Sequence, residues 1–358
     1  MNPAPPSVAS PSAAAPLVSV VVLNYNGQRW LGKCLASLRD QTNFDQLEII
    51  VADNASPDQS DRLAAATMAG WPNGRVMQHG ANLGFCEGNN RAARSARGRW
   101  LLFLNNDAWL EADCLAILIR EVELHQAGAA MPLVLNYADA TFQSLGASGF
   151  DIFGLTSTRL CHPETREVFM PEGCSYLIRR DLFEQLGGFD AAFFMYAEEY
   201  DLSWRVWISG HKALAVPAAR LHHRGAAEAN PEGGDNLVEL RTTDTKRFYA
   251  NRNGLLLVLK NCGGVLLPLI PLHLLLLLLE AGAWFLVVRR WSFVQRSYLQ
   301  ALADCWRLRD HIRAERRRIK KLRRRSNWWM LRFLKPQLNR WHELVRARKL
   351  GFPKVSAR

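Results

Sequence analysis

Three apolar runs in the first third of the chain each stop abruptly at polar residues, and this pattern constrains the fold more than any other feature. The runs cover residues 18–23, 47–52 and 100–104. Continuous apolar runs of this length are typical of strands buried on both faces of a parallel sheet. A helical apolar pattern follows the first run, and a second one covers residues 82–97. Strands that alternate with helices predict a doubly wound α/β fold.

The polar residues that end the runs are predicted to meet at one edge of the sheet. They include Asn24, Tyr25 and Asn26 after the first run, Asp53, Asn54 and Ser56 after the second, and Asn105, Asn106 and Asp107 after the third. Open α/β sheets bind their ligands at the carboxyl ends of the strands. A carboxylate there can hold a divalent cation, and the cation can neutralise a diphosphate. Asp, Asn and Ser also cap helices, but three such ends in order favour a binding site.

The chain resembles the family 2 nucleotide-sugar-dependent glycosyltransferases, and within them the rhamnosyltransferase-like branch that acts on bacterial surface polysaccharides. The segments that carry the resemblance are VSVVVLNYNG at 18–27, EIIVADNAS at 48–56, NLGF at 82–85, FLNND at 103–107, GGFD at 187–190 and MYAEEYDLSWR at 195–205. A histidine-containing segment at 221–227 follows, and YANRN at 249–253 is similar to an aromatic-Arg-Asn element of this branch. The resemblance implies the A-type glycosyltransferase fold, Rossmann-like, with a mostly parallel sheet, helices on both faces and a C-terminal helical membrane-associated extension.

The resemblance assigns the base and ribose of a nucleotide sugar to Tyr25 and Asp53. The chemistry agrees, because uracil and thymine each present an N3–H donor that a fixed carboxylate accepts, while an aromatic ring lies against the base. Further candidates for nucleotide contacts are Asn26, Asn54, Ser56, Asn82 and Asn106.

A metal site is implied at the third strand end. In the family a DxD motif binds the metal, and here the triplet is Asn105-Asn106-Asp107, so that an amide replaces the first carboxylate. A histidine beyond the catalytic helix is often the second ligand, and His223 fits the family's spacing better than His222. The resemblance therefore implies Mg²⁺ or Mn²⁺ at Asp107 and His223, with Asn105 beside them.

The acidic segment at 198–201 opens a predicted helix. Resemblance to the family's acidic pair implies that Glu199 is the general base toward the acceptor hydroxyl, although the branch more often has Asp there. Glu198 and Asp201 are the alternatives. Acids in a first turn also stabilise a helix through its dipole, and Asp201 is spaced to pair with Arg205. Direct attack by an activated hydroxyl predicts inversion at the anomeric carbon.

Composition divides the chain into five parts. Residues 1–16 are rich in Pro, Ala and Ser and predict a disordered tail rather than a signal peptide. Residues 17–228 form the predicted catalytic domain, 229–264 a connecting helical segment, 265–288 an apolar membrane-associated segment and 289–358 a basic helical tail. The seven cysteines show no CxxC spacing, which favours a reduced cytosolic protein over a disulfide or zinc scaffold.

The apolar segment at 265–288 is long enough to cross a bilayer. His273 and Glu280 oppose a simple span, because an ionisable group at the bilayer centre costs roughly 2.5–3.5 kcal/mol. Residues 289–358 carry 22 Lys and Arg against four acids, so exporting them would break the positive-inside rule. These observations favour a peripheral or re-entrant segment at the cytoplasmic face of the inner membrane, bound to its anionic surface. A bitopic helix ranks second and a buried core helix third.

The sequence thus predicts an inverting, metal-dependent glycosyltransferase that transfers rhamnose from dTDP-rhamnose, or a sugar from a UDP-sugar, to a polyprenyl-linked or surface-polysaccharide acceptor. Asn105 and Glu199 depart from the family's motifs. For that reason a catalytically inactive, membrane-associated scaffold stays the alternative. Nucleic-acid binding through the basic tail ranks lower, because the apolar segment is adjacent. No GxGxxG follows residues 18–23, which argues against a dinucleotide oxidoreductase.

Overall fold

The computed structural model describes residues 15–159, 162–225, 241–336, 338–339 and 354–356. Most of the predicted N-terminal tail, Cys161 and much of the segment after residue 339 lie outside them. Strands β1 to β14 span, in order, Val18–Asn24, Leu47–Asp53, Gly74–Gln78, Trp100–Asn105, Ala108–Leu110, Ala129–Asn136, Phe142–Ser144, Ala147–Phe150, Thr156–Arg159, Arg166–Glu167, Ser175–Arg179, Ala213–His223, Arg241–Thr243 and Lys354–Ser356. Helices α1 to α12 span, in order, Leu31–Arg39, Ser60–Thr67, Gly84–Arg94, Cys114–Leu124, Arg180–Leu186, Glu198–Ile208, Asp244–Asn261, Leu269–Val288, Trp291–Val294, Gln300–Arg307, Arg309–Leu322 and Asn327–Met330.

The central sheet has ten strands in the order β10-β12-β6-β11-β4-β1-β2-β3, with β5 paired to β12 and β7 to β6. Strands β3, β2, β1 and β4 are parallel, as the three apolar runs predict. Strand β11 runs antiparallel to both β4 and β6. Strands β6 and β12 are again parallel to each other. The predicted mostly parallel sheet is therefore present in part, and the sheet is mixed. An apolar run indicates burial, but it does not indicate strand direction.

The register of the parallel strands brings their polar ends together. In the β1–β2 pair Asn24 lies opposite Asp53, and in the β1–β4 pair Leu23 lies opposite Asn105. The residues before these ends are almost all buried, because helices cover the sheet. The carboxyl edge of the sheet is thus the place where polar groups from three strands meet.

The C-terminal helices pack against the α/β domain. Helix α7 contacts α6, α8, α10 and α11, and α11 buries Ile312 and Ile319. The Phe333 ring lies 4.8 Å from the rings of Trp207 and Phe169. The described part of the predicted basic tail is helical up to Phe333, with the short strand β14 near its end, and its helices fold back onto the catalytic core.

The apolar segment forms α8. By length and composition, Gly264–Leu286 is the one helix in the described part of the chain that is long and apolar enough to cross a membrane, with a mean hydropathy of 2.1. Its two ionisable residues face the protein. His273 is buried, with Nδ1 2.7 Å from the carbonyl oxygen of Phe153, and the Tyr298 hydroxyl donates to Glu280 Oε2 at 3.4 Å.

Candidate active site

The carboxylate of Asp53 is held in one orientation at the end of β2. It accepts hydrogen bonds from Asn24 Nδ2 at 2.7 Å, from the Ser56 amide at 2.9 Å and from the Ser56 hydroxyl at 2.6 Å. Asp53 itself is buried, whereas the neighbouring Tyr25 side chain is 43% exposed. Asn26 follows with a positive φ of 54°, which turns the chain at the edge of the sheet. A fixed carboxylate therefore lies beside an exposed aromatic ring.

Amide side chains connect the loops around this carboxylate. Asn54 Nδ2 donates to the Gly84 carbonyl at 3.1 Å, and Asn82 Oδ1 accepts from the Gly84 amide at 3.0 Å. Asn106 Nδ2 donates to Asn24 Oδ1 at 2.9 Å. In these contacts, Asn54, Asn82 and Asn106 shape the edge of the sheet. Asn24 holds both Asp53 and Asn106, a role that sequence reasoning missed although Asn24 directly follows the first apolar run.

Asp107 and His223 lie together at the same edge. His223 Nε2 is 3.3 Å from Asp107 Oδ1 and 3.3 Å from Asn105 Nδ2, and His223 Nδ1 is 3.1 Å from Gln143 Oε1. Sequence reasoning missed Gln143, because this residue lies outside every recognised motif. Burial lowers the pKa of His223, but the neighbouring Cys174 and Asp107 together raise it well above its usual value. Asp107 and His223 therefore present a carboxylate oxygen and a ring nitrogen 3.3 Å apart, two groups that could together hold a divalent cation.

His222 points to a different environment, because successive residues of a strand face opposite sides. Its ring stacks on Trp109 at 3.8 Å, and its Nε2 lies 3.2 Å from Glu111 Oε1. Of the two candidate histidines, the structure places His223 beside Asp107.

Glu198 and Glu199 begin helix α6 and face Gly173, the residue before Cys174. A side-chain carbon on Gly173 would lie 3.7 Å from Glu199 Cδ and 3.8 Å from Glu198 Oε1. The Cys174 carbonyl accepts from the Asn105 amide at 3.0 Å. The Gly173-Cys174 backbone therefore connects the acid pair to the end of β4.

The two glutamates are poorly solvated. Burial raises the pKa of Glu199 to about 7, and the nearby Glu172 raises it as well. Burial, together with the charge of Glu199, raises the pKa of Glu198 well above its usual value. Among the described residues, Oε2 of each glutamate is buried without a hydrogen-bond partner. Sequence reasoning missed Glu172, because it lies in a loop outside the recognised motifs.

Asp201 lies apart from these two carboxylates. It is fully buried and lies 2.7 Å from Arg205 Nη2, 3.1 Å from Lys260 Nζ and 2.8 Å from Asn261 Nδ2. The ion pair with Arg205 that the spacing predicts is present, but it is buried rather than solvated. With two cations and an amide around it, the Asp201 carboxylate is unsuited to accept a proton from an acceptor, and this position does not fit the alternative role of base.

Comparisons with known proteins agree with this geometry. Residues 19–187 match the family model for glycosyl transferase family 2. The N-acetylglucosaminyl-diphospho-decaprenol L-rhamnosyltransferase of Mycobacterium tuberculosis is 29% identical over 266 residues, which cover 66% of this chain and 85% of the relative.

Two solved structures show the same fold at low sequence identity. S. aureus TarS 1-349 in complex with UDP-GlcNAc is similar with a TM-score of 0.54 and 14% identity, over 94% of this chain and 92% of that one. GalNAc-T7 with UDP, GalNAc and Mn²⁺ is similar with a TM-score of 0.55 and 19% identity, over 69% of this chain and 48% of that longer one. The segment at 19–187 is therefore a glycosyl transferase family 2 domain, and the protein is a nucleotide-sugar-dependent glycosyltransferase.

Proposed function

We propose that the protein catalyses inverting, metal-dependent transfer of a sugar from a pyrimidine nucleotide sugar to a polyprenyl-linked glycan. The donor we put first is dTDP-rhamnose, with UDP-sugars as the alternative. The observation that carries the proposal is the meeting, at one sheet edge, of the fixed Asp53 carboxylate, the Asp107–His223 pair and the buried glutamates. The name of the mycobacterial relative, a rhamnosyltransferase acting on a decaprenol-linked sugar, supports the donor and acceptor classes.

The nucleotide base is assigned to Asp53 and Tyr25. The held carboxylate of Asp53 accepts the N3–H of uracil or thymine, and the exposed ring of Tyr25 lies against the base. Thymine and uracil present the same N3–H donor between two carbonyl groups, so this assignment includes both dTDP-sugars and UDP-sugars.

Mg²⁺ or Mn²⁺ is assigned to Asp107 and His223, with Asn105 beside them. Among the described residues, no three His, Cys, Asp or Glu side chains are arranged to hold a metal alone. Sites of this kind fit a cation that takes few protein ligands and completes its shell with phosphate oxygens and water. When bound, the cation supplies positive charge that stabilises the departing diphosphate. The Mn²⁺ in the similar GalNAc-T7 structure supports this assignment.

Glu199 is assigned as the base. Its carboxylate takes the proton of the acceptor hydroxyl while the hydroxyl oxygen forms a bond to the anomeric carbon. The bond from that carbon to the diphosphate oxygen breaks on the opposite side, and the electron pair leaves with the diphosphate. The pKa of Glu199, about 7, suits a base near neutral pH. Burial and the charge of Glu199 raise the pKa of Glu198 well above its usual value, which favours its protonated form.

The donor assignment is tested by thermal stabilisation with UDP, dTDP, GDP and NADH, each with and without Mn²⁺, followed by product analysis with a polyprenyl-diphosphate-linked sugar. Ligands that bind the native state raise the melting temperature by mass action. We expect metal-dependent stabilisation by UDP or dTDP and transfer of the sugar with inversion. Nucleotide binding without any transfer, across a panel of donors and acceptors, would favour the inactive scaffold instead.

The pH dependence of kcat follows from the raised pKa of Glu199. The base must be ionised, and the ionised fraction falls below the pKa, so kcat should fall about tenfold per pH unit below about pH 7. The groups facing Glu199, namely Glu172, Glu198, Tyr176 and Cys86, are acids whose own ionisation would raise this pKa further. The measurement is kcat at saturating donor and acceptor, taken across the pH range in which the protein stays folded. An acidic limb near the ordinary pKa of a glutamate would exclude Glu199 as the base.

We also propose that α8 lies in the plane of the cytoplasmic membrane surface. The exposed residues of the helix recur every three or four positions, among them Leu275, Leu278, Leu279 and Leu286, and this face carries no charged residue. His273 and Glu280 are instead engaged by the protein on the other side. An exposed face made only of apolar residues, followed by Arg289 and Arg290, suits contact with acyl chains and with anionic headgroups.

Removing two leucines from this face should weaken membrane binding. Burying a leucine contributes roughly 1.5–3 kcal/mol, so Leu278→Gln with Leu279→Gln should lower vesicle affinity about tenfold or more per residue. The matched control is Leu124→Gln, because Leu124 is a similarly exposed leucine on α4, at 71% against 56% and 64%. Co-sedimentation with phosphatidylglycerol and phosphatidylcholine vesicles measures the effect. Equal binding of the double variant and the control would contradict the proposed orientation.

A further inference from the structure

The residues directly before the proposed base adopt an unusual backbone. Phe194, Tyr196 and Ala197 all have positive φ angles, of 62°, 69° and 65°. The left-handed region costs a residue other than glycine on the order of 1 kcal/mol or more. Glu198 and Glu199 follow immediately, so the direction of both carboxylates depends on this turn. Such a conformation persists only where the surrounding structure holds it.

One side of the turn is held by the start of α3. The amides of Phe85 and Cys86 donate to the Phe194 carbonyl at 2.7 and 3.1 Å. Gly84 has a φ of 73°, and a side-chain carbon there would lie 2.5 Å from the Phe194 ring and 2.7 Å from its carbonyl oxygen. The NLGF segment therefore brings the donor loops against this turn, and glycine is required for that close approach.

The other side is held by α7, which lies beyond the segment matched by the family model. Asn253 is fully buried, and its Nδ2 lies 2.9, 2.7 and 2.7 Å from the carbonyl oxygens of Phe193, Met195 and Tyr196. The Arg252 guanidinium donates through Nε to Asn253 Oδ1 at 2.9 Å. This contact orients the amide so that its donor faces the turn.

Two further contacts strengthen this attachment. Arg252 Nη2 donates to the carbonyls of Ala192 and Phe193 at 2.7 and 2.9 Å. The Tyr249 ring stacks on Phe194 at 5.3 Å with an interplanar angle of 15°. The aromatic residue, the arginine and the last asparagine of the YANRN segment all contact the same turn.

We infer that Asn253, oriented by Arg252, is a positioning residue for the general base: it fixes the turn at 193–197 and thereby aims Glu199 at the acceptor hydroxyl. The inference rests on the proposed role of Glu199. It gives Arg252 and Asn253 an indirect role in catalysis, in which neither side chain contacts donor or acceptor. A misplacement of about 1 Å at a reacting group can cost about 100-fold in rate, so small movements of this turn matter.

The same helix offers a matched control. Asn251 is also buried, and its Nδ2 donates to one backbone carbonyl, that of Ser297, at 2.8 Å. That carbonyl belongs to the C-terminal helices rather than to the turn. Asn253→Asp and Asn251→Asp are therefore the same change, made two residues apart. Each keeps the shape of the side chain but replaces an amide donor with a carboxylate that faces carbonyl oxygen.

The test compares the two variants in the full-length protein with dTDP, UDP and Mn²⁺ as probes of the donor site. Asn253→Asp should lower kcat about 10- to 100-fold and shift the acidic limb of its pH profile. The donor KM and the metal-dependent stabilisation by the nucleotide diphosphate should stay unchanged. Asn251→Asp should keep the wild-type kcat and the acidic limb of the wild-type pH profile, at temperatures where the variant is folded. If Asn253→Asp does not fold, Arg252→Lys, which removes the Nε–H donor but keeps the charge, should show a smaller kcat loss with the same limb shift.

Two results would overturn the inference but leave the role of Glu199 intact. One is an equal loss of kcat in both asparagine variants, and the other is a raised donor KM with kcat retained in Asn253→Asp. A wild-type profile without a limb near pH 7 would instead overturn the assignment of Glu199, and the inference with it. The two failures are thus separable within one set of measurements.

Discussion

Glu199→Gln is expected to lower kcat by about 10²–10⁴-fold, the usual contribution of a positioned general base. Glutamine keeps the size of the side chain but cannot take a proton from the acceptor hydroxyl. The donor site at Asp53 and Asp107 is left intact, so the donor KM and nucleotide-induced stabilisation should change little. Steady-state kinetics with the lipid-linked acceptor, together with melting curves, measure both quantities.

Glu198→Gln is the informative comparison. Burial and the charge of Glu199 raise the pKa of Glu198 well above its usual value, which favours the uncharged form that glutamine resembles. We expect a much smaller loss than for Glu199→Gln. The reverse order, with Glu198→Gln the more damaging change, would move the base to Glu198.

Asp107→Asn is expected to lower kcat about 100-fold or more, since even the supporting partners of metal ligands contribute about 10–100-fold. The substitution keeps the shape at the end of β4 but removes the one carboxylate that lies beside His223. Metal-dependent stabilisation by UDP or dTDP should be lost with it. Melting temperatures with and without Mn²⁺, and product formation at saturating donor, measure the two losses.

The control for Asp107 is Asp113→Asn, which removes an exposed carboxylate whose side chain caps nothing at the start of α4. This variant should retain both metal response and transfer. Nucleotide stabilisation that depends on neither Mn²⁺ nor Asp107 would refute the metal assignment. Asn105→Asp, which restores the first carboxylate of the family's motif, should strengthen the response to metal, because it adds charge next to His223.

The parallel half of the fold could be predicted from sequence because its information is local. Each apolar run from 18–23 to 100–104 is a strand, and the residues that end it determine what meets at the edge of the sheet. Family resemblance brought Asp107 and His223 into one hypothesis, and the structure places them 3.3 Å apart. The direction of β11 could not be predicted, since it depends on how the chain returns after β6.

The histidine that faces Asp107 also depends on an irregular strand. Strand β12 reaches His223 only through a register shift between Val216 and Arg220. Such a shift changes which side chains face the site, so alternation along the strand cannot select between His222 and His223. The turn before Glu199 is equally non-local, because Asn253 holds it from a helix more than fifty residues away.

The return of the C-terminal helices onto the core means that the catalytic domain and the helix proposed to bind the membrane belong to one folding unit. Trp207 and Phe169 belong to the α/β domain, yet Phe333 covers both, and Arg325 donates to the carbonyl of His211 at 2.9 Å. A chain cut after residue 264 would expose these rings and also lose the contacts of α11 with α7. Natural variation in this enzyme therefore cannot exchange its basic end as an independent module, since any replacement must also cover Trp207 at the C-terminal end of α6.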